Sequence, residues 1–156
     1  MENTYNLPDT DLNLLSEFEV HLERASTGKR FGNMLIDAIA FYVVYIVLIL
    51  LVPASSRAFF FTPLLGNILG MVVFALFFGC FEAATRGKTL GKLLTRTRAV
   101  QEDGSPITTE MAFIRGFSRI VPFEAFSALG SPSYPWHDRW SHTFVIDEAA
   151  SSLKDQ

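Results

Sequence analysis

Two long runs of apolar residues dominate the pattern of hydrophobic and polar positions. Residues 31–52 carry one formal charge, Asp37, and residues 58–81 carry none. A run of about 18 apolar residues or more can cross a bilayer as a helix. We predict transmembrane helices at about 31–52 and 62–84, joined by a short outer loop. Buried core helices are the alternative, but a chain of 156 residues has little polar sequence to cover both.

Shorter patterns predict a few short strands. Residues 17–23 alternate between apolar and polar side chains, which is typical of a strand, with a helix as the alternative. Residues 95–101 run as a second strand into the Asp103–Gly104 turn signal. Residues 142–147 are a third candidate. Together these strands would form a small cytoplasmic sheet.

A third helix is predicted at about 110–129, with Thr108 or Thr109 as its N-cap and Glu110 in its first turn. We expect it to lie at the cytoplasmic interface or to be partly inserted, because charges and a proline disfavour an independent span. A full third crossing is the alternative and would place the C-terminus outside. The disfavouring residues are Arg115, Arg119, Pro122 and Glu124.

Charge is distributed unevenly along the chain, although the formal net charge is only −3. Eight Lys and Arg residues between positions 24 and 98 lie before the first span or after the second, and only Arg57 lies between the spans. This asymmetry predicts that both flanking segments are cytoplasmic. Because the basic residues flank the two predicted membrane spans, we expect no nucleic-acid partner. The first 20 residues lack the features of a cleaved signal peptide.

The predicted fold class is therefore an all-α membrane protein. It comprises a transmembrane helical hairpin, a third interfacial or partly inserted helix, and short cytoplasmic strands. We divide the chain into an acidic cytoplasmic leader at 1–23, a membrane domain at 24–148 and a tail at 149–156.

Asp37 is the unusual residue of the first span, because a carboxylate inside a membrane usually faces protein and finds a partner. Arg30 lies seven residues earlier, on the same helix face but about 10 Å away along the axis. One hypothesis is a proton or cation site at Asp37. The other is a structural polar cluster that fixes helix packing. The candidate basic partners are Arg30, Lys92, Arg115 and Arg119.

Two polar segments require separate interpretation. "HDRWSHT" at 137–143 contains two histidines and an aspartate, but we expect no metal because a second ligand cluster is missing. "GKTLGK" at 87–92 is not a phosphate loop, because Glu82 stands where that motif needs glycine. We expect Gly87 and Gly91 instead to allow two helices to approach each other closely. Nothing assembles a nucleophile, base and oxyanion donors, so we expect neither enzymatic activity nor a cofactor.

Four segments together resemble the RDD family of small bacterial membrane proteins: "KRFGNMLID", "FEAATRGKTLGKLLTRTRAVQEDGSPIT", "AFIRGFSRIVPF" and "HDRWSHTFVI". The resemblance covers roughly residues 24–147. It implies that the arginine and two aspartates for which the family is named are Arg30, Asp37 and Asp138, and that they act together. The full candidate cluster, an ion or proton site or a structural polar cluster, is Arg30, Asp37, Glu82, Lys92, Arg115, Arg119, Asp138 and Thr143.

Two functions remain open at this point. Ion or solute transport has been proposed for the family, and here it would be ion, proton or small-solute transport by a homo-oligomer, because two or three helices cannot enclose a pathway. The alternative is a non-transporting scaffold or accessory subunit that docks a cytoplasmic or membrane protein partner. In both cases we expect a multi-pass protein of the bacterial cytoplasmic (inner) membrane, in contact with the lipid bilayer, with a cytoplasmic N-terminus.

Overall fold

The computed structural model of the protein describes residues 21–129 and 133–151. This part of the chain is mostly helical, as the sequence predicted, and it has a small two-stranded sheet where three short strands were predicted. The elements in chain order are α1 (Thr27–Leu51), a first 3₁₀ helix (Ala54–Phe61), α2 (Leu65–Ala84), α3 (Leu90–Thr95), β1 (Thr97–Gln101), α4 (Thr109–Ser118), a second 3₁₀ helix (Glu124–Leu129), α5 (Trp136–Trp140) and β2 (Thr143–Asp147).

The two long helices, α1 and α2, are the predicted apolar helices. With 25 and 20 residues, they are roughly 37 and 30 Å long. Only 11% and 22% of their most apolar windows are buried, whereas a core helix of a soluble protein is mostly covered. By length and composition both helices can cross a membrane. Helix α1 begins earlier than predicted because the Ser26 hydroxyl caps it by accepting the Lys29 N–H at 3.3 Å.

Aromatic side chains join the two long helices. The Phe41 ring of α1 lies 4.8 Å from the Phe74 ring and 5.7 Å from the Phe77 ring of α2, measured between centroids. One turn further along α1, the Tyr45 hydroxyl lies against Gly70. The later residue of α1 therefore meets the earlier residue of α2, so the helices run in opposite directions.

The remaining described residues form a cap at the end of the long helices that contains Thr27 and Ala84. We use "cap" for residues 21–26, 85–129 and 133–151. Strands β1 and β2 pair antiparallel, with Thr97 opposite Asp147 and Gln101 opposite Thr143. Both strands begin near the predicted positions. Their apolar side chains form a small core with Ala25, Ile107 and Ala112.

The strand predicted at 17–23 lies mostly outside the described residues. The part that is described continues along β2. Arg24 forms an isolated bridge with Ile146, and the Ala25 N–H donates to the Val145 carbonyl at 2.9 Å. The start of α1 is thus fastened directly to the edge of the sheet.

The third helix is shorter than predicted, and the range 110–129 was wrong. Helix α4 contains only ten residues and ends at Ser118. Pro122 lacks a backbone N–H and disfavours helical geometry in the residue before it, and Phe123 adopts a left-handed conformation with φ 70°. The predicted start is confirmed, because the Thr108 hydroxyl accepts the Met111 N–H at 3.2 Å.

Helix α4 packs closely on α2 through two glycines. A Cβ atom added to Gly116 would overlap the Ala75 carbonyl oxygen, and one added to Gly79 would lie 2.8 Å from the Phe113 ring. Small residues at such crossings allow backbones to approach closely. This approach carries the middle of α4 to the last turn of α2, where Glu82 lies.

We predict that Gly116→Ala destabilises the protein by about 1–3 kcal/mol, because the added methyl group overpacks the crossing between α2 and α4. Thermal unfolding of the purified protein in detergent measures this as a fall in Tm. Gly32→Ala is the matched control, since its added Cβ would meet only Thr95 at 3.9 Å. Equal Tm values for the two variants would contradict the close packing at Gly116.

Candidate functional site

Two carboxylates, those of Glu82 and Asp138, are completely buried where the cap meets the long helices. Glu82 lies in the last turn of α2, and Asp138 lies in the short helix α5 that follows Pro135. A buried charge without a partner is strongly destabilising. The side chains that surround these two carboxylates therefore determine how the cap is attached.

Arg115 of α4 binds both carboxylates. Its Nε donates to Glu82 Oε2 at 2.6 Å, and its Nη1 donates to Asp138 Oδ1 at 2.5 Å and also to the Thr143 hydroxyl. Burial opposes the charge of Arg115, but the two carboxylates outweigh it and raise the pKa of the guanidinium. Burial likewise opposes the charge of Asp138, but Arg115 and other cations hold the pKa of that carboxyl well below its usual value.

Three further basic side chains complete the ion pairs. Lys92 Nζ lies 2.7 Å from Glu82 Oε1, and Arg119 Nη2 lies 3.2 Å from the same oxygen. Arg30 Nη1 donates to Asp138 Oδ2 at 2.6 Å. Burial lowers the pKa of Lys92 to about 8, although the charge of Glu82 acts in the opposite direction. The ion pairs connect both long helices with α3, α4 and α5.

Asp37 is held differently, and the expectation that basic side chains gather round it was wrong. Among the described residues, its hydrogen bonds come from the Thr89 hydroxyl at 2.6 Å and the Gly91 N–H at 2.7 Å. Both donors lie at the start of α3, where free backbone N–H groups favour a negative charge. The basic side chains expected at Asp37 instead form ion pairs with the fully buried carboxylates of Glu82 and Asp138. These basic residues are Arg30, Lys92, Arg115 and Arg119.

A cavity of about 120 Å³ lies beside these groups. This volume is enough for several water molecules. Asp37 lines the cavity together with three basic side chains, Arg30, Lys92 and Arg119. The other lining residues are Asn33, Met34, Phe74, Glu124, Pro135, His137 and Val145. The site is therefore a set of closed ion pairs beside a cavity that is lined by both ionisable and apolar side chains.

His137 and Glu124 form a second buried contact on the cavity wall that the sequence analysis did not predict. His137 Nδ1 lies 2.5 Å from Glu124 Oε1, and its Nε2 lies 3.4 Å from Asp138 Oδ1. Burial and the nearby charge of Arg119 lower the pKa of His137 to about 4, although both carboxylates oppose this. Near neutral pH the imidazole is uncharged, so its Nδ1–H donates to Glu124.

Asn33 and Thr89 were also missed as members of the site. The Asn33 amide is hydrogen bonded to the hydroxyls of Thr95 and Thr97. Gly91 lies so close to α1 that an added Cβ would be 2.5 Å from the Asn33 carbonyl oxygen, which agrees with the predicted close helix approach. Asn33 lies three residues after Arg30 and four before Asp37, and this helical spacing was the available signal.

The eight predicted site residues all lie in or beside this cluster. Glu82, Arg115, Asp138 and Thr143 form its centre, and Arg30, Lys92 and Arg119 surround it. Asp37 lies across the cavity on its own donors. Within the ranges that the structure describes, no group of three or more His, Cys, Asp or Glu residues is arranged to hold a metal ion.

We predict that Asp37→Ala lowers the yield of folded protein more than Asp37→Asn. Alanine leaves the Thr89 hydroxyl and the Gly91 N–H without their acceptor, at about 1–3 kcal/mol for each buried group, whereas asparagine retains one oxygen. Gel filtration of detergent-solubilised protein measures the yield. The double variant Asp37→Ala/Thr89→Ala should lose less than the sum of the single losses. Equal yields for alanine and asparagine would contradict this account of Asp37.

We predict that acid destabilises the protein through His137. Because its pKa falls from 6.5 to about 4 on folding, the unfolded chain binds more protons than the folded protein between these values. Stability should therefore fall as the pH is lowered through this window, by up to about 3 kcal/mol. Tm measured at pH 7 and at pH 4.5 tests this. His137→Gln should reduce the difference in Tm between the two pH values, while the exposed His142→Gln should leave it unchanged. A reduction in His142→Gln but not in His137→Gln would contradict the role given to His137.

Comparison with known proteins gives one family match. The chain matches no solved structure and no curated protein. Residues 24–146 match the RDD family. This range contains both long helices, the sheet to within one residue of its end, and every side chain of the cluster. The chain therefore belongs to the RDD family of membrane proteins.

Proposed function

We propose that this protein is a multi-pass protein of the bacterial cytoplasmic membrane, with α1 and α2 as a transmembrane hairpin and the cap on the cytoplasmic side. The excess of Lys and Arg on the outer flanks of the two helices supports this orientation. Helix α4, with ten residues, is about 15 Å long, half of the hydrocarbon thickness. In this proposal the helix lies at the cytoplasmic surface of the membrane or is partly inserted there.

Within this arrangement, the proposed activity is transport of a proton, an ion or a small solute through the cavity beside Asp37. The observation that supports it is the position of Asp37. Its carboxylate is inside a helix long enough to span the membrane, has neutral donors, and lines a cavity with other ionisable groups. Glu82 and Asp138, by contrast, are each bound by more than one cation. Asp37 is therefore the acid best placed to exchange a proton or contact a solute.

The described part of a single copy has two long helices, and most of their apolar surface is exposed. Two helices cannot surround a pathway across the bilayer. The proposal therefore includes a homo-oligomer in which several copies enclose the route and each contributes its own cavity at the cytoplasmic end.

A second candidate is a non-transporting scaffold or accessory subunit. The observation that favours it is the tight pairing of Glu82, Arg115 and Asp138 at 2.5–2.6 Å, which fixes the cap rigidly on the helices. A cap held in one position would offer a partner protein a fixed docking surface. The cap also exposes the aromatic side chains of Phe123, just before the second 3₁₀ helix, and Phe126 within it, whose ring centroids lie 6.4 Å apart.

Flux through reconstituted vesicles tests the proposed transport. We predict that purified protein in liposomes changes the internal pH, read by an enclosed dye, when a Na⁺ or K⁺ gradient is imposed. Asp37→Asn should reduce the rate by about tenfold or more, since one lost hydrogen-bonded charge is worth 1.5–3 kcal/mol. Asp103→Asn is the matched control, because this carboxylate lies in an exposed turn of the cap.

Both variants must elute like the unaltered protein for the comparison to apply. Flux equal to that of protein-free vesicles, or unchanged flux in Asp37→Asn, would reject cation-coupled proton transport through this cavity. A membrane protein that co-purifies in fixed proportion, in the absence of flux, would support the scaffold.

A further inference from the structure

We infer that α4 and the residues after it form a re-entrant hairpin, which enters the membrane from the cytoplasmic side, turns near the middle of the bilayer and presents an apolar surface to lipid acyl chains. We use "re-entrant segment" for residues 109–126. This inference rests on the proposed transmembrane hairpin of α1 and α2, and it states how deep the third helix lies beside that hairpin.

The contacts between α4 and α2 show the direction in which the re-entrant segment runs. Gly79 of α2 lies against the Phe113 ring, and the Ala75 carbonyl of α2 lies against Gly116. As α4 proceeds, its partners on α2 come earlier in the chain. The two helices are therefore antiparallel, and α4 leads away from the cytoplasmic end of α2 towards its middle.

The end of α4 reaches the middle of α2. Ala75 comes nine residues before Ala84, the last residue of α2, which is roughly 14 Å along the axis. Ile120 extends further, because it lines a groove between the long helices together with Gly70 and Met71. The hydrocarbon core of a bilayer is about 30 Å thick, as long as α2. With α2 across the membrane, the turn after α4 therefore lies about halfway through it.

The outer surface of the re-entrant segment is apolar. The residues just before and at its start, 108–110, are exposed and polar. Between positions 111 and 126, by contrast, all residues that the structure describes as exposed are apolar. These residues are Ile114, Phe117, Pro122, Phe123 and Phe126. The exposed surface thus changes from polar to apolar in the direction in which α4 would enter the membrane.

The charged side chains of the re-entrant segment are bound by protein. Arg115 and Glu124 are buried, and the side chain of Arg119 is only 13% exposed. Both arginines pair with Glu82 in the last turn of α2, and the Arg119 guanidinium lies over the Phe78 ring, 4.9 Å from its centroid. The side chain of Arg119 is therefore directed back to the cytoplasmic end of α2, as expected of an arginine inside a membrane.

The backbone of the turn has internal hydrogen-bond partners, which a non-helical segment inside a membrane requires. The N–H groups of Ile120, Val121, Glu124 and Phe126 each donate to the carbonyl three residues earlier, at 3.0–3.3 Å. Pro122 has no N–H group to satisfy. The turn can therefore lie at membrane depth beside the long helices.

Continuity with the long helices identifies acyl chains as the occupant of this apolar surface. Val72 and Leu76 of α2 are exposed at the depth that α4 reaches, and in the proposed hairpin they face lipid. Phe123 and Phe126 extend the same apolar surface, with 76% and 68% of each residue exposed. The inference therefore assigns these two rings to lipid, whereas the scaffold hypothesis assigns them to a partner protein.

Spin-label accessibility in liposomes tests this inference. Cys80 is the one cysteine of the chain, so a Cys80→Ala background accepts a single nitroxide at a chosen position. Labels are placed by Phe123→Cys at the turn, Val72→Cys on α2 and Glu102→Cys in an exposed turn of the cap. Power saturation compares collisions with O₂, which concentrates in the bilayer, and with Ni-EDDA, which stays in water.

We predict that the ratio of O₂ to Ni-EDDA collisions at Phe123 equals that at Val72 and exceeds that at Glu102 several-fold. Ni-EDDA access at Phe123 like that at Glu102 would place the turn in water and overturn the inference. A label at Phe123 shielded from both reagents would show that protein covers it, which would also overturn the inference. If Phe123→Cys does not elute like the unaltered protein, Phe126→Cys decides by the same criteria.

The label at Val72 separates failure of this inference from failure of the proposed function. Ni-EDDA access at Val72 would reject the transmembrane hairpin and the inference with it. A lipid-facing Val72 with a water-exposed Phe123 would reject the re-entrant segment alone. A lipid-facing Phe123 in vesicles without flux would support the re-entrant segment and reject only transport.

Discussion

The fold depends on the double ion pair of Arg115 with Glu82 and Asp138. All three side chains are completely buried, and the two ion pairs join the end of α2 to α4 and α5. Removing one member of a buried ion pair leaves an uncompensated charge, which costs about 3–5 kcal/mol. The guanidinium group suits this position because its planar donors reach two carboxylates at once. Gly116, next to Arg115, permits the close approach that these short contacts require.

Much of this architecture could be predicted from the sequence because its signals are local. Apolar run length predicted α1 and α2, the run into the Asp103–Gly104 turn predicted β1, and Thr108 was one of two candidate N-caps for α4. The partners of the buried charges could be predicted only in part, because the family resemblance grouped Arg30 with Asp138 but also with Asp37. Seven residues of separation placed Arg30 and Asp37 on one face, but Arg30 turns to Asp138, 108 positions away. Charge type and spacing do not determine which of several acids a given arginine reaches.

Asp37 shows why residue type alone misled the interpretation. A carboxylate in an apolar helix needs compensation, and several cations were available in the sequence. The structure compensates it with the Thr89 hydroxyl and the Gly91 N–H at the beginning of α3. Charge alone does not identify neutral hydrogen-bond donors of this kind. They also have a chemical consequence, because a carboxylate without a fixed counter-ion can exchange partners more readily than one in a buried ion pair.

The cluster is balanced as a whole but not at each of its surfaces. Four basic side chains, Arg30, Lys92, Arg115 and Arg119, accompany four acidic ones, Asp37, Glu82, Glu124 and Asp138. Overall neutrality limits the cost of placing so many charges away from water. However, Glu82 and Asp138 do not line the cavity, whereas three of the cations do. The ion pairs that hold the cap on the long helices therefore also place basic side chains on the wall of the cavity.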